Sequence, residues 1–115
     1  MTDSGHTGRV EFLRQVTEIL AGSAEAQLAY LRTLEVGPDE LALQFDDAYI
    51  VLPLLRDEGL VSDEARWALD EVDAQLAAMS DGPPEMWDDE ALTGAPEWAR
   101  VRELARRAVE LLPSA

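Results

Sequence analysis

Apolar residues recur at Val10, Leu13, Val16, Ile19 and Leu20, the three-and-four spacing that places side chains on one face of a helix. Gly22-Ser23 interrupts the pattern, and Ser23 is a natural cap for a second helix through Leu28, Leu31 and Leu34, closed by Gly37 and Pro38. The two pieces can also be read as one bent helix. Pro38-Asp39-Glu40 then signals a start, because proline suits a first turn and two carboxylates suit the positive end of the helix dipole. The spacing predicts a helix to about Arg56, with Leu41, Phe45, Ala48, Leu52 and Leu55 on one stripe. A second stripe of Leu43, Ile50 and Leu54 makes this segment apolar almost all round, which predicts a central position in the fold. Pro53 should kink or shorten its last turn, and Gly59 should end it.

Ser62-Asp63-Glu64 opens the next helix, along which Leu69, Val72, Leu76 and Met79 keep the inner spacing, and Asp81-Gly82-Pro83-Pro84 closes it. Asp88 can cap a short turn through Leu92. Pro96 opens a final helix with Trp98, Val101, Leu104, Ala105, Ala108 and Leu111 facing inward. No segment alternates as a half-buried strand does. The expected fold is all-α, a single-domain bundle of about five helices with short, mostly antiparallel connections. Residues 1–8, rich in Gly, Ser and Thr, read as a flexible tail, and residues 9–115 as one helical domain.

A chain of 115 residues is long enough for one core and should fold to about 6,200 Å² of accessible surface. It contains no cysteine, so disulfides, thiolate metal sites and a cysteine nucleophile are excluded together. No basic region followed by an apolar run opens the sequence, which makes the cytoplasm the expected compartment. No apolar run approaches a membrane span.

Charge is where the composition becomes informative. The net charge is −15, yet residues 1–35 carry only −2 and residues 98–115 carry +2. The imbalance lies in residues 36–97, where seventeen acids face only Arg56 and Arg66. Such a field repels nucleic acid and anionic membranes and speeds encounter with a basic partner. It also keeps a small protein soluble, which is the plainer reading of the same charge.

Catalytic chemistry finds little to use. The one histidine, His6, lies in the expected tail with no second positioned group beside it, so no triad is available. The glycines match neither dinucleotide nor phosphate-loop spacing, and the acidic runs lack the alternating ligands of a calcium loop. A magnesium-dependent hydrolase would have its best seat at Glu40, Asp46 and Asp47, with Asp70, Glu71 and Asp73 across the bundle. Asp46 and Asp47 are unusual in an apolar helix, where a buried unpartnered charge is costly. Structurally, one would bond an Arg, an indole or a helix end while the other faces water. Functionally, Asp47 would share a surface with Leu43, Ile50 and Leu54, which stand 4, 3 and 7 positions away. Trp87 and Trp98 read as core or staple residues, and the Arg pairs of the last helix as ties to acidic neighbours.

Taken in order, YLRTLEVGPDELALQFDDAYIVLPLLRDEGLVS, LDEVDAQLAAMSDGPPEMWDDEAL and PEWARVRELARRAVELL resemble small acidic bacterial immunity proteins of polymorphic toxin systems. The likeness spans residues 28–112 and rests on Asp39 to Asp47, Gly59 to Ser62, Leu69 to Ser80, Met86 to Leu92 and Glu97 to Ala105. Asp81 stands where the pattern has glycine, Asp88 where it has threonine, and Ala95 where it has an Asp cap. The resemblance implies a small helical protein that neutralises a cognate toxin by binding, and it supplies no catalytic residue; no cofactor or metal is expected. Combined with the charge, it makes a basic toxin domain, such as a nuclease, the expected partner. The expected contact residues are Glu40, Leu43, Asp46, Asp47, Tyr49, Ile50, Asp70, Glu71, Asp73, Asp88, Asp89 and Glu90. The alternative is a helical interaction or regulatory module without enzymatic activity, and a homodimer is compatible with either.

Overall fold

The computed structural model describes residues 4–113, with side chains from residue 8 onward. Its elements are α1 (Ser4–Ala21), α2 (Ala24–Leu34), α3 (Asp39–Tyr49), α4 (Leu52–Asp57), α5 (Asp63–Ser80), a 3₁₀ turn (Pro84–Trp87), α6 (Asp89–Gly94) and α7 (Pro96–Leu111). The fold is an all-α single-domain bundle, with no strand among the described residues. The helix α1 packs on α3 and α7, and α5 packs on α7 and α3, so these four close a ring; α2, α4 and α6 fill its flanks. The accessible surface of 6516 Å² is close to the expectation from chain length.

Local signals place most of the boundaries. Ser23 Oγ, Ser62 Oγ and Asp88 Oδ1 accept from the backbone N–H of Ala26, Ala65 and Ala91 at 3.1, 3.1 and 2.8 Å. Each satisfies a donor that the first turn leaves free. The α5 stripe of Leu69, Val72, Leu76 and Met79 is buried, as are Trp98, Val101, Leu104, Ala105 and Ala108 of α7. Trp98 is the largest enclosed side chain; its Nε1 donates to the Met86 carbonyl at 2.8 Å, and its ring meets that of Trp87 edge-on at 5.5 Å.

Three expectations are corrected. The tail begins as helix: α1 starts at Ser4, because extending a formed helix adds a bond per residue without a new nucleation cost. His6 lies outside the described side chains, and Met1–Asp3 outside the described residues altogether. The expected interruption at Gly22-Ser23 stands, with separate helices on either side of it. The helix expected to run to Arg56 is divided: α3 ends at Tyr49, and Val51 leaves helical geometry at φ −93°, ψ 3°. Pro53 has no N–H for the Tyr49 carbonyl four residues back, and its ring crowds that oxygen, so the break falls upstream of the proline. Lastly, α3 is not central. Leu41, Phe45 and Ala48 are buried while Leu43 and Ile50 face outward.

The same C-terminal motif closes α2 and α4 with different residues. Glu35 N–H bonds Arg32 O and Val36 N–H bonds Leu31 O; Gly59 N–H bonds Arg56 O and Leu60 N–H bonds Leu55 O. Both motifs need a left-handed residue, supplied by Gly59 at φ 74° and by Glu35 at φ 58°. So α2 ends at Leu34, ahead of the expected stop at Gly37.

Candidate functional site: the outer face of α3 and its break

At 100° per residue, Leu41, Phe45 and Ala48 form one side of α3, and Leu43 and Ile50 lie nearly opposite. Asp46 and Asp47 fall on either side of the line from Leu43 to Ile50. Their exposure follows this geometry: Ile50 is 76% exposed, Leu43 54%, and both aspartates face water. Neither aspartate is therefore buried or held by an Arg or an indole. Beyond the break, Leu54 is 38% exposed.

The Asp46 side of α3 leads to α5. Tyr49 stacks on Phe45 with ring centres 5.4 Å apart, and its hydroxyl donates to Asp70 Oδ1. Asp70 Oδ2 also faces Arg66 Nε at 3.7 Å. Burial, then the bond to Asp70 and the charges of Asp70 and Asp73, push the Tyr49 phenol well above its usual range, so it remains a neutral donor. The Asp73 carboxyl is raised too, first by burial and then by Asp46 and Asp70. Asp46, Asp70 and Asp73 thus share one electrostatic neighbourhood across the α3–α5 seam. Tyr49, one of the expected contact residues, is a half-buried clamp between these helices.

The break shapes the surface beside this clamp. An open depression of about 440 Å³ is lined by Asp46, Tyr49, Ile50 and Pro53. A smaller one of about 120 Å³, lined by Tyr49, Leu52, Pro53, Arg56, Arg66 and Asp70, adjoins it through Tyr49 and Pro53. On the other side of α3, Glu40 accepts from Gln44 Nε2 at 3.2 Å while Gln44 Oε1 accepts from the Tyr30 hydroxyl at 2.9 Å. Glu40 is thereby tied to the α2–α3 contact.

The structure divides the expected contact residues. Leu43, Asp46, Asp47, Tyr49 and Ile50 gather on α3 and at its end, with Asp70 and Asp73 beside them; Glu71 is exposed on α5. Asp88, Asp89 and Glu90 belong to the start of α6, which packs on α7 and α2, and Asp88 is engaged as its cap. Trp67, 63% exposed on α5, escaped the sequence-based expectation. The signal was present: Trp67 falls about 160° from the inner residue Leu69 and about 180° from Leu76.

Of the seventeen acids between residues 36 and 97, only Asp63 and Asp70 pair with Arg among the described residues. The Arg residues of α7 do not serve as ties to acids in general. Arg100 pairs with Glu103, but Arg102 donates to Gln27 Oε1 and Leu92 O at 3.1 and 3.0 Å, and Arg106 to Ala21 O at 3.0 Å. Cations there complement carbonyls at helix C-termini. Among the described residues no group of three His, Cys, Asp or Glu is placed to hold a metal ion, and no helix is long and apolar enough to cross a membrane.

No family model, curated protein or solved structure matches the chain.

Proposed function

We propose that the chain is an immunity protein that binds a cognate basic toxin domain and blocks it stoichiometrically in the cytoplasm, without chemistry of its own. One observation carries the reading: a helix presents exposed Leu43 and Ile50 between two exposed aspartates that pair with no Arg among the described residues. Apolar side chains in such a line gain by being covered, and carboxylates beside them favour a cationic cover. The resemblance of residues 28–112 to immunity proteins supports the same conclusion. A standard interface takes about 800 Å² from each partner, roughly an eighth of the 6516 Å² available here. A nuclease fits best as target, since its nucleic-acid groove is itself a basic surface.

The test is co-expression with the neighbouring open reading frame, scoring growth and co-purification. Rescue with a one-to-one complex is the expected result. Equal killing with and without this chain refutes immunity, and a stable complex with a non-toxic partner would favour a regulatory module instead.

A further inference from the structure

Binding to a basic toxin domain does not by itself say where the partner sits or what shape it presents. Resting on that proposed function, we infer that the partner docks one basic amphipathic helix along the outer face of α3. Its apolar ridge would cover Leu43 and Ile50, with Arg or Lys along both borders of that ridge.

Charge and shape select the occupant. An exposed stripe one residue wide, seven positions from Leu43 to Ile50, is two helical turns, the length over which a second helix can interdigitate. Both borders of the stripe are anionic, through Asp46 and Asp47. The Asp46 side also holds Asp70 and Asp73, with Arg66 facing Asp70, and the other side holds Glu40, whose carboxylate accepts from the neutral Gln44 amide. Cationic side chains of the ligand are therefore favoured along both borders of the stripe. The depression behind Ile50, with Asp46 as one wall, admits a long cationic side chain from the Asp46 side. A second copy of this chain is a poor occupant. Symmetric pairing would bring aspartates of like chains together on molecules that each carry −15.

The experiment uses the full chain and a synthetic 14-residue helical peptide with Leu at helical spacing flanked by Arg, followed by backbone amide NMR. Expected shifts centre on Leu43, Asp46, Asp47 and Ile50, and Ile50→Asp weakens binding at least tenfold while its melting curve matches wild type. Because that variant adds a negative charge, attraction by charge alone would leave binding unchanged or tighter, which overturns the inference. Shifts centred on α6 overturn it as well. So does light scattering that finds a dimer which Ile50→Asp dissociates, since the face would then belong to a second copy. Phe12→Asp, at an exposed position on α1, should bind as wild type; a matching loss there would mark the peptide response as unspecific and also overturn the assignment. Failure of growth rescue, with the peptide still mapping to α3, refutes immunity and leaves the docking face intact.

Discussion

Replacing Gln27 by leucine keeps the volume of a side chain only 1% exposed and removes every hydrogen bond it makes. Gln27 Nε2 donates to Ile19 O at 3.1 Å and Leu20 O at 2.9 Å, capping the C-terminus of α1 from within α2. Its Oε1 accepts from Arg102, which also holds the Leu92 carbonyl at the end of α6. This amide and Arg102 together thus join four helices. Burial, and then Arg106, hold the Arg102 guanidinium below its usual pKa, so this cation is partly desolvated and depends on its acceptors. An intramolecular hydrogen bond contributes about 1 kcal/mol net, and a buried group left unpaired costs about 1–3 kcal/mol. The Leu20 carbonyl is enclosed and has no alternative, so Gln27→Leu should destabilise by about 2–3 kcal/mol. At roughly 2.1 cal/mol/K of unfolding entropy per residue, this lowers Tm by about 8–12 °C. Urea denaturation gives the free energy, and a cycle with Arg102→Met should show about 1 kcal/mol of coupling. A loss below about 0.5 kcal/mol, typical of a surface change, would refute the hub.

The two left-handed closures make opposite predictions. Glu35→Gly should stabilise by about 0.5–1 kcal/mol, because glycine removes the strain at φ 58°. Gly59→Ala should destabilise by about 1 kcal/mol through strain alone, since nothing lies within 4 Å of the added methyl; urea midpoints check both. Asp73→Asn should raise Tm at pH 7. An acid whose pKa is raised by folding disfavours the fold while ionised, and that penalty disappears as pH falls through the folded pKa toward the ordinary 3.8. The advantage of the Asp73→Asn variant over wild type should therefore shrink on acidification; a gain that grows instead would contradict the cause assigned here. For wild type, raising NaCl from ~0.01 to ~0.15 M shortens the screening length from about 30 to 8 Å. With −15 on the chain, calorimetry should find a higher Tm in salt, and a fall would mean that ion pairs outweigh self-repulsion.

What could be read from the amino acids was local. Ser23, Ser62 and Asp88 cap because each sits three positions before the N–H it accepts, and the inner residues of α5 and α7 obey one period. Pro53 marked a disturbance, but its position displaced the break into the preceding turn, since the affected carbonyl is four residues upstream. Leu43 and Ile50 were legible as a second stripe, yet periodicity does not say whether a second stripe is covered by the same chain. Gln27 carried no warning, because its partners come from α1 and from a residue 75 positions away. The acids of residues 36–97 were evident as a count, but the division of the candidate site between the α3–α5 seam and α6 is a property of packing.

The most direct measurement is association and dissociation of the cognate basic protein across ionic strength, with wild type, Asp46→Asn/Asp47→Asn and Ile50→Ala. The expected result is a separation of roles: the aspartate variant lowers the association rate and flattens its salt dependence, whereas Ile50→Ala leaves association unchanged and speeds dissociation. Salt-independent association of wild type, or equal complex lifetimes with and without the Ile50 side chain, would contradict recognition through an acidic, apolar-centred face on α3.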